Sequence, residues 1–253
     1  MEIDNKTVWI TGASSGIGLE LCRQLAAKGA RIVLSARRKD TLVEIAKSLP
    51  GGLTRHWVVP LDLAVADDTL VTFVQGQLAE IGPVHILINN GGISQRSLFI
   101  DTDLFVYRKL MEVNYLGSVA MTKALLPNML AQQNGMIVSI SSVAGKVGTK
   151  LRSGYSGAKF AVVGFMDCLR AETAEHGVHC LTICPGSIQT NIAINALNAS
   201  GDAQNKNDDS IINGMVNERD EVIIGKGFSG LAPTIKRFFP GLFNRISAKT
   251  EYR

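Results

Sequence analysis

Tyr155 and Lys159 stand four residues apart in the segment YSGAK, a spacing that stacks two side chains on one face of a helix. Paired in that way they can do acid–base chemistry. A free phenol ionises near pH 10 and is a weak proton donor or acceptor at neutrality. An ammonium about 4 Å away, at an effective dielectric of 20, interacts with a phenolate by ~4 kcal/mol, enough to lower its pKa by up to ~3 units. The same spacing also describes an ordinary surface pair, so the rest of the chain has to decide. A hydroxyl that donates to a substrate carbonyl oxygen would complete such a site. The strand-like run IVSISS, residues 137–142, offers Ser139, Ser141 and Ser142. Alternation along an extended chain puts Ser141 and Ser142 on opposite sides.

A second cluster lies near the N-terminus. Residues 11–18 read TGASSGIG, directly after an apolar run and directly before a helical pattern. Gly12, Gly16 and Gly18 permit a tight turn in which the free amides of Ser14, Ser15 and Ile17 and the helix dipole can meet a pyrophosphate. Alone, a glycine pattern of this kind also fits a turn without a ligand.

These residues need a frame. Short β-branched runs at 7–10, 31–34, 56–59, 85–89, 136–140, 178–183 and 221–224 alternate with helical patterns at 17–28, 39–48, 67–81, 103–132 and 155–176. Gly29, Gly82 and Gly177 read as C-terminal caps. Such alternation predicts an α/β fold: one doubly wound, seven-stranded parallel sheet of Rossmann type, with helices on both faces and ligands at the carboxyl ends of the strands. The chain of 253 residues reads as a single domain without repeat or linker. With 46% hydrophobic and 19% charged residues it is neither disordered nor fibrous. The net charge of +4 comes without a dense basic block, so nucleic acid is not implied.

The four cysteines lack paired spacing and residues 1–6 are polar, which predicts reduced thiols, no signal peptide and a cytoplasmic protein. No apolar run reaches the ~18 residues of a membrane span. The four histidines show no metal spacing and no metal is expected; His176 is read at a helix C-terminus, the others in solvent, and Trp9 and Trp57 in the core.

Taken in order, these segments resemble the short-chain dehydrogenase/reductase family over residues 6–190 or so. The glycine spacing is Gly-x3-Gly-x-Gly. Residues 89–92, NNGG, are similar to that family's NNAG with Gly91 in place of alanine, and 185–190, PGSIQT, to its PGxIxT loop. Asn114 in EVNYLG, Ser142, Tyr155 and Lys159 fall at the positions of its catalytic tetrad. The resemblance therefore selects Ser142 among the three serines. It implies that Asn114 helps hold a water chain to Lys159, and that Lys159 also holds the nicotinamide ribose. It further implies dinucleotide contacts from Asp62 and Leu63 in PLDL, from Asn89, Asn90 and Gly91, from Val113, and from Pro185, Gly186, Ile188 and Thr190.

NAD-binding members carry an acid after the second strand, whereas a 2′-phosphate is met by a basic side chain. Here the segment is LSARRKD: Ala36 leaves the acid position empty, Arg37 can fork onto phosphate, Arg38 can share the contact, and Asp40 is read as capping the next helix. The expected cofactor is NADP(H), and the expected reaction is reduction of a ketone or aldehyde. An NAD-dependent alcohol dehydrogenase and a catalytically silent dinucleotide sensor are the alternatives, the latter disfavoured by the intact tetrad.

Within the family, residues 89–130 look like the dehydrogenase/reductase member seven group, whose relatives include reductases of lipophilic carbonyls. The resemblance also implies a homodimer or homotetramer packed through the long helices, with Phe160, Val163 and Ala171 as spare apolar surface. Two segments stand apart. Residues 191–219 are read as a substrate loop, the part to 209 being either a mobile cover or a surface insertion, with a shortened helix following it. The tail, 228–253, mixes Phe238, Phe239 and Phe243 with Lys236, Arg237 and Arg245; it suits a lid or subunit contact better than a peripheral membrane surface, because Pro233 and Pro240 forbid one long helix.

Overall fold

Strand β1 (Thr7–Thr11, TVWIT) is buried along its whole length, and it lies at the middle of the fold. Its alternate residues face opposite layers. Val8 and Ile10 pack on one side with Leu21 and Leu25, while Trp9 points to the other, among Leu87, Met121 and Ile137. A strand covered on both faces has to be apolar throughout, and this one is.

The computed structural model describes residues 2–186, 208–225 and 227–249. In chain order the other strands are β2 (Arg31–Ser35), β3 (Trp57–Val58), β4 (Ile86–Asn89), β5 (Gly135–Ile140), β6 (Val178–Pro185) and β7 (Glu221–Ile224). All pair in parallel, in the order β3-β2-β1-β4-β5-β6-β7. The chain reverses its direction of winding between β1 and β4, which opens the crevice typical of ligand sites in doubly wound sheets. The expected fold is the observed one.

Helices α1 (Gly16–Ala27), α2 (Lys39–Ser48) and α7 (Asp208–Val216) cover one face, through Leu21, Leu42 and Met215 among others. Helices α3 (Asp68–Ile81), α5 (Gly117–Gln132) and α6 (Ser153–Thr173) cover the second with Val74, Leu125 and Met166. Asp67 caps α3, accepting from the amides of Thr69 and Leu70. Gly29 and Gly82 close their helices at positive φ, whereas Gly177, also at positive φ, lies three residues beyond Ala174, the cap residue of α6. Among the described residues no helix is long and apolar enough to cross a membrane.

Four expectations change. The helix read at 103–132 is α4 (Leu104–Met111), then a π-helical turn (Glu112–Leu116), then α5. The tail is not one long helix, as expected, but two, α8 (Phe228–Phe238) and α9 (Pro240–Lys249), with Pro240 opening the second and Pro233 accommodated inside the first. Phe243 is not a surface residue, because it packs on Val143, Val147 and Ala232. Val163 is likewise buried within the chain and offers no surface to a partner, although Phe160 is exposed.

The histidines are the fourth. His56 and His85 lie not in solvent but at the strand ends, where Nδ1 of each accepts a main-chain amide, from Ile32 (3.0 Å) and Thr7 (3.1 Å) respectively. His56 thus stands in for ladder bonds that the two-residue β3 does not make, and its Nε2 donates to the Pro50 carbonyl at 2.9 Å. Both acceptor bonds require a neutral ring.

Burial holds the His56 pKa below its ordinary 6.5. The neutral ring belongs to the folded state, so its contribution is complete above 6.5 and is lost as the pH falls from there towards the folded value. A His56→Gln protein should be less stable at pH 7 by about 1–2 kcal/mol, and should lose less on acidification than the unmutated chain. Urea unfolding at neutral and mildly acidic pH reads the difference, and an equal loss in both proteins would contradict this role for the ring.

Candidate active site

The glycine turn joins β1 to α1. Gly12 adopts φ +66°, and a Cβ there would come within 2.8 Å of Gly91 Cα and of the Asn90 side-chain Nδ2. A Cβ on Gly18 would run into the Gly12 carbonyl. Both positions are therefore closed to side chains by close approach of backbone. Ser15 is the N-cap residue of α1 but makes no side-chain cap bond, so it leaves the first-turn amides to the space in front of them.

The end of β4 holds this turn in place. Thr11 Oγ1 accepts from the amides of Asn90 and Gly91, both at 3.0 Å, while the Asn90 side chain donates to the carbonyls of Thr11 (3.0 Å) and Gly12 (3.3 Å). Asn89 turns the other way, donating to Thr122 on α5 at 3.1 Å. Thus Asn90 and Gly91 reach the turn, and the Asn89 side chain serves the helix behind the sheet.

A pocket of about 600 Å³ opens in front of the turn. It is lined by Gly12, Ser14, Ser15 and Ile17 from the turn, by Arg37 and Arg38 after β2, and by Asp62 and Leu63 after β3. Asn90, Gly91 and Val113 line it as well, whereas Asn89, Tyr155, Lys159, Pro185 and Gly186 do not; Gly16 sits in the turn at φ +55°. Sequence reasoning missed Lys109, one helical turn before Val113 and on the same face, which also reaches the pocket. The i, i+4 spacing was the available signal. Asp62 accepts the Ala64 amide at 3.0 Å, which fixes its loop. Asp40 lies in the first turn of α2 rather than capping it; Arg38 occupies the cap position.

Gly92 connects this pocket to the second cluster. A Cβ on Gly92 would lie 2.8 Å from Asn114 Oδ1 and 3.8 Å from Lys159 Nζ, so the pocket wall and the lysine are neighbours. Asn114 is buried in the π-helical turn. Its side chain bonds both main-chain groups of Ile93, accepting from the amide at 2.8 Å and donating to the carbonyl at 3.0 Å. A π turn re-aims a helix locally and is frequent at functional sites. Here it seats Asn114 against Ile93, in the loop after β4 that carries the pocket wall.

Tyr155 and Lys159 are buried on α6, at 8% and 5% exposure, so the pair is not a surface pair. Burial pushes the Tyr155 phenol above its ordinary 10, against hydrogen bonding from Ser142 and the nearby charge of Arg152, which pull it down. This differs from the expectation that Lys159 sets the phenol's acidity. The Lys159 ammonium stands 5.9 Å from the ring centroid and donates instead to the Ile140 carbonyl at 2.7 Å.

The three serines are sorted by the geometry. Ser142 faces Tyr155 and accepts the Ala144 amide at 3.1 Å. Ser141 faces α6 from the other side and donates to the Lys159 carbonyl at 3.0 Å, and Ser139 is fully buried in β5. Pro185 and Gly186 lie at the end of β6, where the Pro185 carbonyl is 3.4 Å from Ser142 Oγ. Ile188, Thr190 and the substrate loop up to residue 207 lie outside the described residues.

Comparison with known proteins gives a consistent set of similarities. A family model described as short chain dehydrogenase matches residues 6–200. Dehydrogenase/reductase SDR family member 7B of Bos taurus is 35% identical over 97% of this chain and 81% of its own length. Dehydrogenase/reductase SDR family member 7 of Homo sapiens is 44% identical over 78% of this chain and 59% of its own. Among solved structures, a short-chain dehydrogenase from Burkholderia cenocepacia, in complex with NADP, superimposes with a TM-score of 0.84 over 99% of this chain and 100% of that one, at 24% identity, a likeness of fold. A second, a short chain dehydrogenase/reductase family protein, gives 0.77 over 88% of this chain and 97% of that one, at 26% identity.

Burial also lowers the Lys159 pKa from 10.5 to about 8. An amine with a depressed folded pKa weakens the folded state at neutral pH, and this cost disappears as the pH rises from about 8 through 10.5. A shift of this size corresponds to about 3 kcal/mol, from which the bond to Ile140, about 1 kcal/mol, must be subtracted for a variant that loses it. Lys159→Met is therefore expected to unfold a few degrees higher at pH 7, with a gain that shrinks in alkali. Thermal unfolding at the two pH values is the check, and a Lys159→Met protein that is less stable at both would contradict it.

Proposed function

The chain belongs to the short-chain dehydrogenase family, an oxidoreductase family that uses nicotinamide dinucleotides, and on that premise we propose that it reduces ketones or aldehydes with NADPH. The observation that carries the proposal is the joint burial of Tyr155 and Lys159, with Ser142 facing the phenol, beside a pocket closed by backbone at Gly12 and Gly18. Residues that face both a phosphate-sized turn and a proton donor fit a dinucleotide. When bound, that cofactor supplies the hydride for the carbonyl carbon.

The protein's own part is binding, orientation and one proton. The α1 amides and the turn hold the pyrophosphate. Asp62, Leu63, Gly91 and Val113 enclose the adenosine end, and Pro185 and Gly186 stand at the nicotinamide end. Ser142 donates to the substrate's carbonyl oxygen while Tyr155 gives it the proton. A phenol raised by burial is fully protonated at neutral pH, which is the form that reduction consumes. Lys159, still mostly charged at pH 7 with a pKa of about 8, favours the phenolate left behind and holds the ribose. Asn114 keeps the proton route to Lys159 in register.

Arg37 and Arg38 line the pocket and form no ion pair among the described residues, so both are available to a 2′-phosphate. Exposed Leu98, Phe99 and Ile100, in the segment that follows the pocket wall, support a lipophilic carbonyl substrate. Exposed Phe160 on α6 supports a homodimer or homotetramer through the long helices.

Tyr155→Phe should lower turnover by at least about a hundredfold and leave NADPH affinity unchanged, because the aromatic packing survives and only the acid is lost. Steady-state rates together with titration calorimetry test this, and a near-normal rate for the variant would overturn the mechanism. Arg37 should give NADPH roughly a tenfold to hundredfold advantage over NADH. Exchanging Ala36→Asp together with Arg37→Leu is expected to reverse the preference. Equal calorimetric affinities of the unmutated protein for the two dinucleotides would remove the assignment of Arg37 and leave that of Tyr155 standing.

A further inference from the structure

Helix α6 begins without a cap of its own. Arg152 occupies the N-cap position and makes no side-chain cap bond, so the first-turn amides need an acceptor from elsewhere. Gln95 supplies it from 59 and 60 residues away, its Oε1 accepting from the amides of Gly154 at 2.8 Å and Tyr155 at 3.3 Å. These are the second and third residues of the helix, the two amides that a local cap serves. The third belongs to Tyr155 itself.

The other end of the same side chain is also committed. Gln95 Nε2 donates to Ser97 Oγ (3.1 Å) and Thr102 Oγ1 (3.2 Å), and the Ser97 amide donates to the Leu151 carbonyl at 3.0 Å. With amide hydrogens at one end and hydroxyls at the other, the orientation of the carboxamide is fixed. Gln95 is only 5% exposed, so neither end can turn to water instead. The fit is close: a Cβ on Gly154 would stand 3.0 Å from Gln95 Oε1 and 2.9 Å from Leu110. The segment that Gln95 ties down carries Leu98, Phe99 and Ile100, which are exposed at 48%, 73% and 83%.

We propose that Gln95 is a positioning residue for Tyr155, a remote cap that fixes the first turn of α6 and couples it to the apolar segment 97–102. Contact of a substrate with that segment is thereby transmitted to the backbone of the proton donor. Neither amide belongs to the pocket lining, so the adenosine and pyrophosphate part of the dinucleotide is held independently of this link. The inference rests on the reading of Tyr155 as the acid, and the experiment separates the two.

Gln95→Met removes the acceptor at nearly constant volume, and Gln95→Glu keeps it. A carboxylate can take both amides and, once the hydroxyls turn, bonds from Ser97 and Thr102, and its charge suits a helix N-terminus. Expected for Gln95→Met is a kcat lower by about tenfold to hundredfold with NADPH affinity unchanged, and faster hydrogen exchange at the Gly154 and Tyr155 amides. Expected for Gln95→Glu is a kcat close to the unmutated one, slow exchange at both amides, and an alkaline limb of the pH–rate profile moved upward, because a nearby negative charge opposes phenol ionisation. The Gln95→Glu limb remains decisive if Gln95→Met does not fold. An unmoved limb, or a Gln95→Glu protein as slow as Gln95→Met, overturns the proposal. Hydrogen exchange is read without turnover: loss of amide protection in Gln95→Met beside a fully active Tyr155→Phe protein would keep the cap and refute the acid, whereas unchanged protection would refute the cap alone.

Discussion

An ammonium group held inside the protein sets the terms for everything around it. Lys159 is almost wholly removed from water, and an isolated charge in that position would be lost to deprotonation or would unfold the chain. Among the described residues its ammonium donates to the Ile140 carbonyl, at the last residue of β5. That carbonyl is free because β5 ends there and the chain leaves the sheet through Ser141 and Ser142. The carboxyl edge of the parallel sheet thus provides the acceptor, and Ser141 anchors the helix main chain at Lys159 itself. The tyrosine one turn earlier shares the environment, so the burial that depresses the amine also raises the phenol.

Despite these opposed shifts both groups stay protonated near neutral pH, the phenol fully and the amine mostly. A donor of one proton and a positive charge beside it are what carbonyl reduction asks of a protein when the hydride comes from a cofactor. The remaining architecture places these two against the pocket. The π turn aims Asn114 at Ile93 in the loop after β4, Asn90 clamps the glycine turn, and Gln95 holds the start of α6. Each is a side-chain amide that satisfies main-chain groups where regular secondary structure ends.

The frame was legible in the sequence because parallel strands buried on both faces must be apolar runs, and seven such runs alternated with helical patterns. The Tyr155 and Lys159 pair was legible because helical spacing makes i and i+4 neighbours. Other features were not. The π turn leaves no legible trace in hydrophobic periodicity, because α5 beyond it is buried on several faces and has no single stripe whose rotation would reveal an extra residue. Gln95 gives no local signal as a cap, because the two amides it caps lie 59 and 60 positions away and meet it only in the folded chain. His56 and His85 read as solvent-facing, and only the shortness of β3 shows why a ring nitrogen is needed at its edge. The acidity of Tyr155 was misjudged for a similar reason: spacing fixes a neighbour, whereas burial and the competing bond from Lys159 to Ile140 decide the electrostatics.

The central claim is that the Tyr155 phenol itself delivers the proton to the carbonyl. Replacing Tyr155 alone with a fluorinated tyrosine, which is more acidic but nearly isosteric, and recording the pH dependence of NADPH-driven carbonyl reduction tests it most directly. The account predicts that the alkaline limb moves to lower pH by about the difference in phenol acidity, because reduction requires the protonated form. A limb that stays where it is, with rates unchanged, would show that another group supplies the proton.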